Sequence, residues 1–119
     1  GRKQATGFAV LKNAGFLYDD VNGLLRNSGG GLFANWHIEL DHHHGGYAKL
    51  TSALVRFSDE FEARHHIPLD PIYTAKMLYG VYHYIEQGRM PRGSTVVAIH
   101  TGGLQGKQSM LAKMDKYRR

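Results

Sequence analysis

Leu69-Asp70-Pro71-Ile72-Tyr73-Thr74-Ala75-Lys76 reads as the entrance of a helix. Asp70 can accept backbone N–H bonds as the N-cap. Pro71 suits the first helical position, where an N–H would be orphaned anyway. The next turn presents a phenol, a hydroxyl and an ammonium. The plain reading is a capped surface helix with a solvated first turn; the functional one is a site for anions and polar ligands. The helix is expected to carry Leu78, Val81, Tyr82 and Ile85 inward and to stop at Gly88, a good residue just past a helix end.

Working outward, Leu50, Leu54, Phe57 and Phe61 step by four, three and four, marking one buried helix face that starts near Thr51 and ends at His65-His66 before Pro68. Downstream, Pro91-Arg92-Gly93 is a turn. Thr95-Val96-Val97-Ala98-Ile99 is β-branched and unbroken, which predicts a strand buried on both faces. It runs into His100-Thr101-Gly102-Gly103. Met110, Leu111 and Met114 suggest a last helix with a basic outer face. Toward the N-terminus, Phe33 to Leu40 reads as a strand and 41–47 as a polar, glycine-hinged loop. Asn27 to Gly31 is a glycine-rich loop, 16–26 a short amphipathic helix, and Gly7 to Leu11 a buried strand of the parallel type. Strands alternating with helices predict an α/β class: part of a mostly parallel open sheet with flanking helices. In such sheets ligands sit beyond the carboxyl ends of strands. The loops 41–47, 70–76 and 100–103 form one site if they cluster.

The 119 residues, 42% hydrophobic and 21% charged, describe one globular domain or a piece of one. No apolar run approaches the roughly 18 residues of a membrane span, and no signal peptide is visible behind Gly1-Arg2-Lys3. The chain opens without methionine, which predicts processing or a segment of a longer protein. The absence of cysteine excludes a disulfide scaffold and a thiol nucleophile. The net charge of +5 is terminal: residues 1–3 and 107–119 carry +6, and residues 4–106 carry −1. A nucleic-acid surface interleaves basic and aromatic residues on one element, so no nucleic-acid partner is expected.

His37, His42, His43 and His44 invite a metal reading. Adjacent histidines point in different directions, and no second ligand pair at metal spacing accompanies them, so a polar wall of a small-molecule site is expected instead. Thr101-Gly102-Gly103 is, plainly, a strand-to-helix turn. Functionally it offers a neutral hydroxyl at a strand end, with glycines that let a flat ligand approach.

Val10-Leu11-Lys12-Asn13-Ala14-Gly15-Phe16-Leu17, His43-His44-Gly45-Gly46-Tyr47-Ala48-Lys49, Ile67 to Gly80, and Ile99-His100-Thr101-Gly102-Gly103-Leu104-Gln105-Gly106 stand in this order. Together they resemble the C-terminal part of the D-cysteine desulfhydrase / 1-aminocyclopropane-1-carboxylate deaminase family. These are pyridoxal-phosphate enzymes with a tryptophan-synthase-β-like fold. The likeness runs from about Phe8 to Gly106. It implies that Tyr47 and Tyr73 are the catalytic phenols. It implies that Thr101 partners the pyridine nitrogen, with Thr74 beside it and Gly102 against the ring. Deaminases resemble Tyr-Glu-Gly-Lys at the helix entrance and His-Leu-Gly-Gly after the strand. Tyr73-Thr74 and His100-Thr101 instead follow the desulfhydrase pattern. A threonine leaves the ring a weaker electron sink than a carboxylate would, which suffices when thiolate departs from Cβ.

The implied reaction is α,β-elimination of D-cysteine to pyruvate, sulfide and ammonia. The alternatives are 1-aminocyclopropane-1-carboxylate deamination, a related sulfo-lyase, or a non-catalytic segment that pairs with a partner chain through exposed strand edges. The likeness also implies a small amino-acid substrate, a homodimer, a cytoplasmic setting, and neither metal nor membrane. Residues 1–119 are expected to be the C-terminal segment of the large domain. The N-terminal part, with the Schiff-base lysine and the phosphate loop, is expected to lie outside these residues; Lys76, Lys12 and Lys49 do not match that lysine. Ala75 stands where the family usually has glycine, and His42 and His44 stand where it has aromatic residues.

Overall fold

The computed structural model describes residues 3–29, 31 and 33–118. Strand β1 (Ala5–Phe8) is followed by a 3-10 turn (Ala14–Phe16), helix α1 (Leu17–Asn27), strand β2 (Trp36–Glu39) and helices α2 (Ser52–His65), α3 (Thr74–Glu86) and α4 (Leu104–Lys116). The strands are parallel, with Ala5 opposite Trp36 and Phe8 opposite Glu39. The architecture is therefore α/β, a small parallel sheet with flanking helices. Of the glycine-rich loop, Gly30 lies outside the described residues, as do Arg2 and Arg119 of the basic ends. Among the described residues no helix is long and apolar enough to cross a membrane.

The N-terminal strand sits upstream of its expected place. Its ladder continues only to Ala9, whose N–H donates to the Glu39 carbonyl at 2.9 Å. Its residues alternate between exposed and half-buried, because one neighbour and one covering helix shield only one face. Helix α1 buries no residue fully, and Phe16 and Leu24 are exposed. Its attachment is polar and aromatic. The Tyr18 hydroxyl donates to the Ile38 carbonyl at 3.1 Å and accepts from the Ile38 N–H at 2.9 Å, while its ring stacks on Trp36.

The expected strand at Thr95–Ile99 does not form. Residues 94–100 take no ladder among the described residues, and Val97 and Ile99 remain 81% and 69% exposed. A β-branched run becomes a strand only where a neighbour receives its backbone groups.

The core joins α2, α3 and α4 through Leu50, Leu54, Val55, Leu69, Ala75, Met110 and Met114. Thr51 caps α2 by accepting the Leu54 N–H at 3.1 Å, and His66 ends it in the left-handed conformation. Gly88, also left-handed, follows α3. The buried face of α3 is not the expected one. Val81 is buried, but Tyr82 and Ile85 are exposed, and Thr74, Ala75, Lys76, Gly80 and Tyr84 lie inside. Gly80 explains the rotation. A Cβ there would stand 2.3 Å from the Phe8 ring, so only glycine lets β1 lie against α3.

Candidate active site

Asp70 organises the site. It is 1% exposed, and its carboxylate accepts the N–H groups of Ile72 (3.0 Å), Tyr73 (2.7 Å) and Thr74 (3.0 Å). The Thr74 hydroxyl donates to the same carboxylate at 2.6 Å and accepts the Asp70 N–H at 3.0 Å. This reciprocal box satisfies the donors that a helix start leaves orphaned and puts negative charge at the positive end of α3. Pro71, buried just after Asp70, gives up no hydrogen bond there.

The box fixes what faces outward. Tyr73 is 46% exposed and its hydroxyl lies 3.1 Å from the hydroxyl of Tyr47, itself 53% exposed, with the rings edge-on at 6.1 Å. The bond to Tyr47, slight burial and the Asp70 carboxylate together raise the Tyr73 phenol above its ordinary value. Tyr73 is therefore protonated at neutral pH, so it is a proton donor rather than a base.

Tyr47 sits on a contorted loop. His44, Gly45, Gly46 and Ala48 all have positive φ, at 56°, 101°, 128° and 58°. For histidine and alanine that conformation is unfavourable and is held by surrounding contacts. Lys76 Nζ donates to the Gly46 carbonyl at 2.9 Å, and Lys113 Nζ donates to the Ala48 carbonyl at 2.7 Å. The two ammonium groups grip the backbone on either side of Tyr47.

The third loop docks on Asp70. Gly103, with φ 79°, approaches so closely that a Cβ would stand 3.2 Å from the carboxylate. His100 holds the turn: Gly102 N–H donates to its Nδ1 at 3.0 Å, which places the ring proton on Nε2, and Nε2 donates to the Pro68 carbonyl at 2.9 Å. Thr101 is exposed and makes no side-chain hydrogen bond among the described residues. Gly102 has open space where a Cβ would stand.

The three loops thus cluster, and Tyr47 and Tyr73 meet. Thr101 and Gly102 stand on the loop that packs against the same cap. Thr74 differs, because its buried hydroxyl is committed to Asp70 and does not face outward. Lys76, Lys113 and His100 were not among the expected site residues. Their parts depend on contacts across thirty or more positions, which local pattern does not carry.

The histidines do not converge on one point. His42 Nε2 meets His83 Nδ1 at 2.8 Å, His44 Nδ1 meets Thr51 Oγ1 at 2.9 Å, and His43 Nδ1 accepts the Gly45 N–H at 3.1 Å. His42 and His44 line a separate pocket of about 420 Å³ with Glu39, Tyr79, His83 and Arg89. Neither Tyr47 nor Tyr73 lines it. Burial, then the charges of Lys76 and the neighbouring histidines, push His44 down to about 4. Among the described residues no three His, Asp or Glu side chains gather as a metal site.

No family model matches the chain. A mitochondrial bifunctional D-cysteine desulfhydrase/1-aminocyclopropane-1-carboxylate deaminase of Arabidopsis thaliana is 30% identical over 109 residues, covering 90% of this chain and 27% of that protein. A putative 1-aminocyclopropane-1-carboxylate deaminase of Pyrococcus furiosus is 31% identical over 107 residues, covering 87% of this chain and 32% of that protein. The crystal structure of a homologue of 1-aminocyclopropane-1-carboxylate deaminase superposes with a TM-score of 0.84 at 25% identity, over 94% of this chain and 35% of that one. The chain therefore spans about a third or less of the relatives it matches. In sequence and in fold it is similar to part of these proteins, in agreement with the likeness carried by the four sequence blocks.

Proposed function

We propose that residues 1–119 form the C-terminal segment of the large domain of a pyridoxal-phosphate-dependent lyase of the desulfhydrase/deaminase type, and that the parent reaction is α,β-elimination of D-cysteine. The observation that most supports this reading is the meeting of the three loops at one capped helix entrance, with the Tyr47–Tyr73 bond at its mouth. The Arabidopsis thaliana relative is named for both the desulfhydrase and the deaminase activity, and the Pyrococcus furiosus relative for the deaminase.

The residues present suit one side of the cofactor. Thr101 offers an unengaged hydroxyl, and Gly102 leaves the space a flat ring needs. These two would hold the ring's nitrogen edge, with Thr101 as a neutral hydrogen-bond partner. Pyridoxal phosphate, when bound, supplies the electron withdrawal that lets a Cα proton and a Cβ substituent leave. This chain's own residues orient and protonate. Tyr47 and Tyr73 present hydroxyls to a substrate carboxylate or a departing sulfur, and the raised Tyr73 keeps its proton for donation. Thr74 serves the cap and not the ring, so the distinction from a deaminase rests on Thr101.

The cofactor's lysine is proposed to come from outside residues 1–119: Lys76 is fully buried with its ammonium on the Gly46 carbonyl, and Lys12 and Lys49 do not match the lysine that the likeness implies. The 119-residue chain, incubated with pyridoxal phosphate and borohydride, is expected to show no stoichiometric lysine modification by mass spectrometry. Stable modification accompanied by turnover overturns the division of the site. In a protein that joins this segment to the part supplying the lysine, Thr101→Ala is expected to lower kcat for sulfide release at least tenfold with an unchanged melting temperature. Unchanged turnover removes Thr101 from the site. A substrate amino acid, a dimeric assembly and a cytoplasmic setting belong to the same proposal.

A further inference from the structure

Lys76 is fully buried, an unusual position for a lysine. Burial, then the like charge of Lys113 from α4, lowers its ammonium to about 8, against the opposing pull of Asp70 from the turn before α3. His44 faces it from the loop and is itself held neutral at that pH. A buried cation of this kind is a burden on folding, and an apolar side chain of similar shape is often tolerated or preferred in its place. What the ammonium does here is specific. Its Nζ donates to the Gly46 carbonyl at 2.9 Å, on the residue next to Tyr47, within a loop where His44, Gly45, Gly46 and Ala48 all have positive φ. Loop 44–48 cannot relax while that carbonyl is held, and the Tyr47 hydroxyl stays 3.1 Å from that of Tyr73.

We infer that Lys76 is a positioning residue whose buried ammonium, by holding the Gly46 carbonyl, fixes the Tyr47 phenol against Tyr73. Lys113 supports the same loop one residue beyond Tyr47, at Ala48, from a different helix. That this matters for substrate rests on the proposed function; that Lys76 sets the phenol pair does not.

The test is made on the 119-residue chain by NMR, with labelled glycine carbonyls and tyrosine rings, and needs no turnover. In the wild type, the Gly46 carbonyl and the Tyr47 and Tyr73 rings are expected to shift together with a midpoint near pH 8, as Lys76 loses its proton. Gly46 shifting while both rings stay still overturns the inference, as does no shift at Gly46. In Lys76→Met, the Tyr73 phenol is expected to return from its raised value to the ordinary one near 10 while circular dichroism keeps the wild-type helix content. Tyr47→Phe is expected to give the same return with Gly46 still responding near pH 8. A folded Lys76→Met chain that keeps the raised Tyr73 titration overturns the inference. If that variant does not fold, the wild-type titration decides alone. A phenol pair that depends on Lys76 in a protein releasing no sulfide would refute only the proposed reaction. Sulfide release with a pair indifferent to Lys76 would refute only the positioning role.

Discussion

At the scale of single residues, polar groups are placed by what they must satisfy. Asp70 has the most partners, and Asp70→Ala strands three backbone N–H groups and the Thr74 hydroxyl. Its expected cost is about 2 kcal/mol or more by denaturant unfolding, at the upper end for a lost cap because the site is buried. Asp70→Asn keeps the acceptor on one side only and is expected to fall between. His44 gives the acid response. Its folded value of about 4 lies below the ordinary 6.5, so the unfolded chain binds more protons between the two. Stability is therefore complete above pH 6.5 and declines as pH falls toward 4. His44→Asn, which tolerates the left-handed backbone, is expected to flatten the decline of melting temperature across that window; an unchanged slope assigns it to other groups. Lys76 acts in the same direction in a higher pH window. Its value near 8 lies below the ordinary 10.5, so stability is expected to rise from about pH 8 until the tyrosines begin to ionise near 10.

Between elements, the decisive contact is the one that has no side chain on one partner. Gly80 admits the Phe8 ring, which holds β1 on α3 and so aligns the carboxyl ends of both strands with the loops of the site. Gly80→Ala is expected to destabilise by about 1–3 kcal/mol, from overpacking, despite the better helix propensity of alanine. Phe8→Leu in that background is expected to recover part of the loss; if Gly80→Ala is neutral or stabilising, the packing account of β1 fails. Elements with local punctuation were legible in sequence. Asp70-Pro71 announced the cap, Thr51 opened α2, and Met110 and Met114 marked the inner face of α4, whereas Leu111, expected with them, is exposed. The buried face of α3 was not legible, because Gly80 acts through Phe8, more than seventy positions away. Nor was the attachment of α1, which depends on a tyrosine hydroxyl bonding both backbone groups of Ile38 rather than on its apolar stripe.

For the whole molecule, the run Val96-Val97-Ala98-Ile99 has the composition of a central strand and the exposure of a surface segment. Local pattern specifies that a residue favours a sheet, but only a neighbouring strand makes one, and none is present among the described residues. Such an apolar, unpaired run is a template for association. The 119-residue chain is expected to self-associate with rising concentration in sedimentation velocity, and Val97→Lys to weaken this; association untouched by Val97→Lys shifts the contact elsewhere. The site shows the same division. The three loops were legible as polar, glycine-bearing stretches at element ends, and their meeting at Asp70 follows from short-range capping. The clamp by Lys76 and Lys113 was hidden, because a lysine in sequence announces solvent. Under the proposed function, the loops together make the substrate-facing half of a lyase site in which Thr101 gives the ring nitrogen a neutral partner. The most direct test compares sulfide release from D-cysteine with ammonia release from 1-aminocyclopropane-1-carboxylate, in a protein that joins this segment to its lysine-bearing part. The account predicts kcat/KM for D-cysteine at least tenfold the higher. A preference for 1-aminocyclopropane-1-carboxylate, with Thr101 intact, would contradict it.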